Sequence, residues 1–238
     1  MTVSGEPKSR KLHASLLVLL LVLFFMVYNR KFIARQMGVQ TVTAPYNTQR
    51  TQAAISWNRA QIDSAHLRAN DGDLVVRTGN DEVSDIFRRL NTHDATFSHI
   101  GIVFIENGTP MVYNIIGGAD NPDGYIRRDS LTSFITPKKN TGFGVYRLPL
   151  TRAQKSLLRD NTVRYFTEKR SFDINFNLST DSLLYCTEFV YKVVTETVKK
   201  KDYFEKTHNE VLDFDYIAVD NLLMHPKIKM ICKVRYKQ

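Results

Sequence analysis

The sequence predicts an α+β fold: a central antiparallel sheet packed against helices, behind an N-terminal apolar segment. Three observations predict it. Short β-patterned runs cluster between Asp73 and Leu148, and helical patterns flank them on both sides. The pair Asn107-Gly108 separates two such runs, which is a strong signal for a two-residue hairpin. Of the 238 residues, those after the first 50 are enough for one domain with a sizeable core. An apolar content of 43% and a charged content of 24% are ordinary for a globular chain.

Residues 1–13 form a short basic tail. Ala14 to Tyr28 (ASLLVLLLVLFFMVY) is apolar throughout. As a helix it spans roughly 22 Å at about 1.5 Å per residue, short of a hydrocarbon core of about 30 Å. It fits the h-region of a signal peptide, or a span if Leu12 and Phe32 extend it and Lys11, Arg30 and Lys31 snorkel. No A-x-A cleavage pattern follows it. The reading favoured is therefore an uncleaved signal anchor over residues 14–33, followed by a polar tether over 34–50 (for example QMGVQTVTAPYNTQR). The cytoplasmic-N topology is the default. It places the chain in the inner (cytoplasmic) membrane as a single-pass protein, with the body on the periplasmic side.

Residues 51–238 form the body. Thr51 to Ala69 reads as a helix, with Ala54, Trp57, Ile62 and Leu67 as buried positions. Asp71-Gly72 is a turn and Asp73 to Arg77 (DLVVR) a strand. Asp81 to Leu90 is a helix with Val83, Ile86, Phe87 and Leu90 on one face. Ser98 to Ile105 and Met111 to Ile116 are the hairpin strands. Gly117 to Asp129 is a loop, and Ser130 to Ile135 one or two helical turns. Gly144 to Leu148 is a strand. Thr151 opens a helix with a Thr151–Gln154 capping box. Cys186 opens another, with an apolar stripe at Phe189, Val190, Val193 and Val194. Lys227 to Tyr236 is a last strand.

The net charge of +9 might suggest a nucleic-acid partner, but position argues against it. Six of the nine charges come from the first 50 residues, where Lys8, Arg10, Lys11, Arg30, Lys31, Arg35 and Arg50 face only Glu6. That excess brackets the apolar run, as it does around membrane segments. Two cysteines, with no CxxC pair and no Cys/His cluster, exclude a disulfide scaffold and disfavour a structural zinc site.

Chemistry enters through the hairpin. A two-residue Asn-Gly turn pairs Glu106 with Thr109, Val103 with Val112, Gly101 with Asn114, and His99 with Ile116. His99 and Asn114 then share a face as diagonal neighbours, with Gly101 leaving space between them. An imidazole whose second nitrogen is held by a carboxamide is a candidate general base. On strand geometry alone, a packed His beside a surface Asn is the alternative. Cys186, near a helix start, has the site a thiolate needs. Taken alone it is equally a small buried hydrophobe, or half of a Cys186–Cys232 disulfide in an oxidising compartment.

Taken together, the pieces GDLVVR, FSHIGIV, MVYNIIGG and SFDINFNLSTDSLLYCTEFV resemble the YiiX/YebB-like cysteine hydrolases. These are circularly permuted relatives of the NlpC-type enzymes in the papain-like superfamily. The resemblance covers roughly Asp71 to Val194. Its ordered positions read here Gly72-Asp73, Ser98-His99, Asn114 and Tyr185-Cys186-Thr187-Glu188. The third is often acidic in such relatives and is Asn114 here, which stabilises an imidazolium less than a carboxylate would.

The resemblance implies a papain-like fold and a hydrolase of amide, peptide or ester bonds, which the N-terminal apolar segment would anchor in the membrane. Cys186, His99 and Asn114 would be catalytic. Tyr185 and Ser98 would lie in the substrate or oxyanion neighbourhood, and Asp73 and Glu188 would be structural near the site. No metal or cofactor is expected. Cell-wall peptide is the implied substrate. The alternatives are a lipid-directed acyl hydrolase or acyltransferase of the lecithin retinol acyltransferase-like type, or a non-catalytic anchored binding module.

Overall fold

The structure is a computed structural model that describes residues 51–118, 121–176, 178, 180–210 and 213–238. The expected anchor and tether lie outside the described residues. Among the described residues, no helix is long and apolar enough to cross a membrane.

The chain forms α1 (Gln52–Arg68), β1 (Asp73–Gly79), α2 (Glu82–Arg88), β2 (His99–Glu106), β3 (Thr109–Asn114), β4 (Arg127–Ser130) and α3 (Leu131–Phe134). These are followed by β5 (Asn140–Arg147), α4 (Arg152–Thr167), β6 (Ser171–Phe172), β7 (Leu183–Leu184) and α5 (Cys186–Val198). The last elements are β8 (Thr207–Asn209), β9 (Phe214–Tyr216), α6 (Val219–Leu223) and β10 (Lys229–Arg235). Six strands make one antiparallel sheet in the order β10-β5-β1-β2-β3-β4. β6 and β7 form a small parallel pair, and β8 and β9 a small antiparallel one.

Both faces of the large sheet are covered. Leu74, Val76, Ile100, Ile102 and Phe104 pack with Leu158 and Tyr165 of α4 and with Phe189, Val190 and Val193 of α5. Val75, Val103, Val112, Phe143 and Val145 pack with Ile62 and Ala65 of α1 and with Leu131 and Phe134 of α3. Double coverage explains why β1 and β2 read as nearly unbroken apolar runs. The hairpin has the expected register: Glu106 opposes Thr109, Val103 opposes Val112, and Asn107 and Gly108 both take positive φ. The α4 capping box also forms, with the Gln154 N–H 3.2 Å from Thr151 Oγ1 and the Thr151 N–H 2.9 Å from Gln154 Oε1.

Several expectations are corrected. Leu67 is 88% exposed and Trp57 only partly buried, because Asn58 and Ala65 occupy the inward face of α1. β4 lies where a loop was expected. Its sequence, RRDS, has no apolar alternation, and it is held by its ladder to β3 and by the Arg128–Glu106 ion pair. No Cys186–Cys232 bridge forms; both thiols are free. Cys186 packs in the α4/α5 core, whereas Cys232 on β10 packs against the opposite one. β5 and β1 also separate β10 from β2.

Candidate active site

His99 begins β2, directly across from Arg77 of β1. Its imidazole is buried, and its Nε2 lies 3.1 Å from Asn114 Oδ1 at the end of β3. Gly101 makes that approach possible. A Cβ there would come within 2.6 Å of Val112 Cγ1, 2.8 Å of the Tyr113 carbonyl oxygen and 3.1 Å of Asn114 Cβ. Asn114 Nδ2 in turn donates to Asp129 Oδ2 at 3.0 Å, and Arg127 Nη2 donates to Asp129 Oδ1 at 2.8 Å.

This line of contacts fixes a tautomer. An ionised carboxylate only accepts, so Asp129 takes the NH2 side of the Asn114 amide. The carbonyl side then faces His99, so Nε2 carries the hydrogen. Nδ1 is left with its lone pair, as a general base requires.

Cys186 is the first residue of α5, with Tyr185 as N-cap. Burial pushes its thiol up to about 11. The Thr187 N–H, the Arg77 charge, the Ile100 N–H and its own N–H oppose that rise. The Ile100 contact sets the sulfur against β2 one residue past His99. The N–H groups of the first helical turn also have no intrahelical acceptor and are donors for an anion there. Burial, with the Arg77 charge next, holds the His99 imidazole down to about 3, against a pull upward from Asn114. Burial thus favours the neutral form of both groups.

The helix start is fixed from both sides of the cysteine. The Ile217 N–H donates to the Tyr185 hydroxyl at 2.9 Å, and Thr187 Oγ1 donates to the Ile217 carbonyl at 2.5 Å. Glu188 is fully buried; its Oε2 accepts from the Tyr185 N–H at 3.2 Å, and its Oε1 lies 3.1 Å from Lys192 Nζ. Burial raises the Glu188 carboxyl to about 7, with Lys192 opposing. Asp181, upstream of the helix, pairs with Lys192.

Tyr185 and Ser98 adjoin the two candidate catalytic residues and have fixed contacts, while the expected place of Asp73 near the site is corrected. Tyr185 is 4% exposed and its hydroxyl accepts from the Ile217 N–H, which positions the helix start. Ser98 Oγ accepts from the Gly79 N–H at 3.0 Å and donates to the Arg77 carbonyl at 3.3 Å, which ties β1 to β2. Asp73 lies at the far end of β1, roughly 13 Å along the strand from Arg77 at about 3.3 Å per residue. There it binds Arg147 through two contacts of 2.7 Å and accepts from the Asn70 N–H.

Residue-by-residue reading missed Arg77, Asp129, Arg127 and Asp220. Arg77 stacks on Phe134 at 5.1 Å, the ring that His99 also contacts at 5.4 Å, and donates to Asn140 Oδ1 at 2.9 Å. Pairing β1 with β2 would have found it. Asp220 Oδ2 accepts from the Thr92 and His93 N–H groups at 2.8 and 2.7 Å, and so holds the loop that leads into His99. No local signal marks it. Among the described residues, no group of three or more His, Cys, Asp or Glu is placed to hold a metal ion.

Residues 68–230 match the permuted papain-like amidases of the YaeF/YiiX type, the C92 peptidase family. The chain belongs to this family. A C92 enzyme is a cysteine hydrolase, and this chain is one by membership. No curated protein matches the chain. The crystal structure of "metalloprotein yiiX" from Escherichia coli O157:H7 superposes with a TM-score of 0.58 at 19% identity, covering 71% of this chain and 99% of that one. At that identity it shows the fold alone: α+β and permuted papain-like, with the sheet described above. In this C92 chain the permuted order puts the His strand and the Asn strand before the cysteine helix.

Proposed function

We propose that Cys186 is the nucleophile of this hydrolase, His99 its general base through Nδ1, and Asn114 the residue that orients His99. The observation that carries this is the His99–Asn114–Asp129 line, which leaves one basic nitrogen on a buried ring beside the strand that Cys186 packs against.

In the proposed reaction the thiol proton passes to His99 Nδ1 as sulfur attacks the carbonyl carbon. The first-turn N–H groups of α5 receive the oxyanion. The carbonyl-to-leaving-group bond breaks, and the imidazolium protonates the departing amine or alcohol. Water, deprotonated by His99, then cleaves the thioester, releasing the acid and restoring the thiol. Burial favours the neutral form of both groups before substrate arrives.

The substrate proposed is an amide or peptide bond, cell-wall peptide being one candidate, reached by an enzyme held at the inner membrane through residues 14–33 with its body outside. The exposed apolar face of α2 favours a second reading, an acyl group presented by a lipid. The test is labelling by an electrophilic probe. Cys186→Ala should abolish turnover and leave only the Cys232 background; equal labelling of the variant would refute the nucleophile.

A further inference from the structure

We propose that the Gly79 end of the sheet is a lipid-docking surface, seated on a bilayer through α2 and Ile174, with the candidate nucleophile directly behind it. α2 has no buried residue. Val83, Ile86 and Leu90 are 36%, 49% and 40% exposed, and Ile174 of the neighbouring loop is 49% exposed. Spacing of three residues puts Val83 and Ile86 on one helical face, and Leu90 follows in the turn two residues past the helix end. A lone exposed apolar side chain is ordinary, but a cluster rimmed by charge marks an interaction surface.

The patch is continuous with the site. Phe176 sits between Phe87 of α2, at 5.6 Å, and Tyr185, the residue before Cys186, at 5.1 Å. It does so at φ 53°, in the left-handed region that a bulky side chain rarely adopts. The ring thus links the helix that carries the patch to the residue before Cys186.

The position of the chain preceding the domain says what covers this face. α1 delivers its C-terminal end to Asp73. Its N-terminal half lies over the opposite end of the sheet, where Asn58 exchanges two 2.9 Å hydrogen bonds with the backbone of Lys237, just beyond β10. β10 ends with Arg235 opposite Gly142, and Gly142 lies opposite Thr78. Thr51, which caps α1, thus leaves from the same end as α2 and the site. Residues 34–50 reach at most about 60 Å, so the proposed anchor keeps this end within range of the membrane.

Charge does not favour one lipid type. Asp81, Glu82 and Asp85 offset Arg88 and Arg89 on the same helix, so docking is apolar and insensitive to salt.

The inference rests on the proposed anchor and not on the chemistry of Cys186. The test uses the full chain in phosphatidylcholine vesicles carrying acyl-brominated lipid, with a single reporter tryptophan in a Trp57→Phe background. Ile86→Trp should be quenched about twofold, as for a side chain lying below the headgroups. Leu67→Trp, exposed at the other end of α1, should be unaffected. Equal quenching of the two reporters, or none at Ile86→Trp in a chain that floats with the vesicles, overturns the docking surface and leaves the anchor standing. A chain that does not float overturns both. Shielding of Ile86→Trp from acrylamide without quenching by brominated lipid would show that another part of the chain covers the face, and also overturns the proposal.

Discussion

At one end of β1, Asp73 receives both arms of the Arg147 guanidinium and the Asn70 N–H, so each charge meets its opposite. At the other end, Arg77 stands beside an imidazole whose protonation it opposes and a thiol whose ionisation it favours. The first arrangement is closed and holds the fold. The second leaves two groups that burial keeps uncharged, and such groups can exchange a proton when a substrate arrives. Buried polarity marks a site when its groups are held away from their ordinary protonation states, not when it is saturated.

Four measurements test that contrast, in descending order of effect. His99→Ala should lower kcat/KM of the folded fraction about a thousandfold, as for loss of a general base, and the cavity it leaves should also lower the denaturation midpoint. Asp73→Asn should cost stability alone. Breaking a buried pair on one side costs about 3 kcal/mol of stability, while the folded fraction keeps its kcat/KM. Should Asp73→Asn abolish turnover in folded protein, the two ends are not independent.

Next is pH. The unfolded chain takes a proton on His99 near 6.5, and the native state refuses it until about 3. Stability is therefore lost as pH falls through this window, by roughly 2–3 kcal/mol between pH 6.5 and 4.5. Cys186 acts at the other extreme. Its native thiol ionises near 11 against an ordinary value of 9, so stability falls as pH rises between them. Denaturant melts across pH should show both slopes, and His99→Ala should flatten the acid one. The smallest effect is at Asp129→Asn. An amide there can donate as well as accept, so Asn114 is no longer held in one orientation. Activity should fall about tenfold, as for other residues that orient a reacting ligand from behind, with KM unchanged.

Legibility followed sequence distance. The hairpin, its register and the His99–Asn114 contact were readable because one Asn-Gly turn dictates them all. The α4 capping box and the apolar stripe of α5 were readable for the same local reason. Asp129 was not, since it sits on a polar edge strand held by its ladder and ion pairs rather than by apolar alternation. Arg77 was visible only to someone who already knew that β1 lies beside β2. The backbone contacts of the Tyr185 and Ser98 hydroxyls were not legible, because their partners lie in other segments and no spacing announces them. Cys186 could be named from resemblance, while its placement against Ile100 needed the fold.

The separation of the site's parts along the chain has a consequence for synthesis. His99 and Asn114 are 15 residues apart and share one hairpin, a contact of low order that forms rapidly. Cys186 emerges from the ribosome only after β1 to β5 and α4, and its helix is held by Ile217, later still. A nascent chain thus carries the proposed base long before the proposed nucleophile is made. On that assignment the chain is inert until α5 has been synthesised and held in place by Ile217.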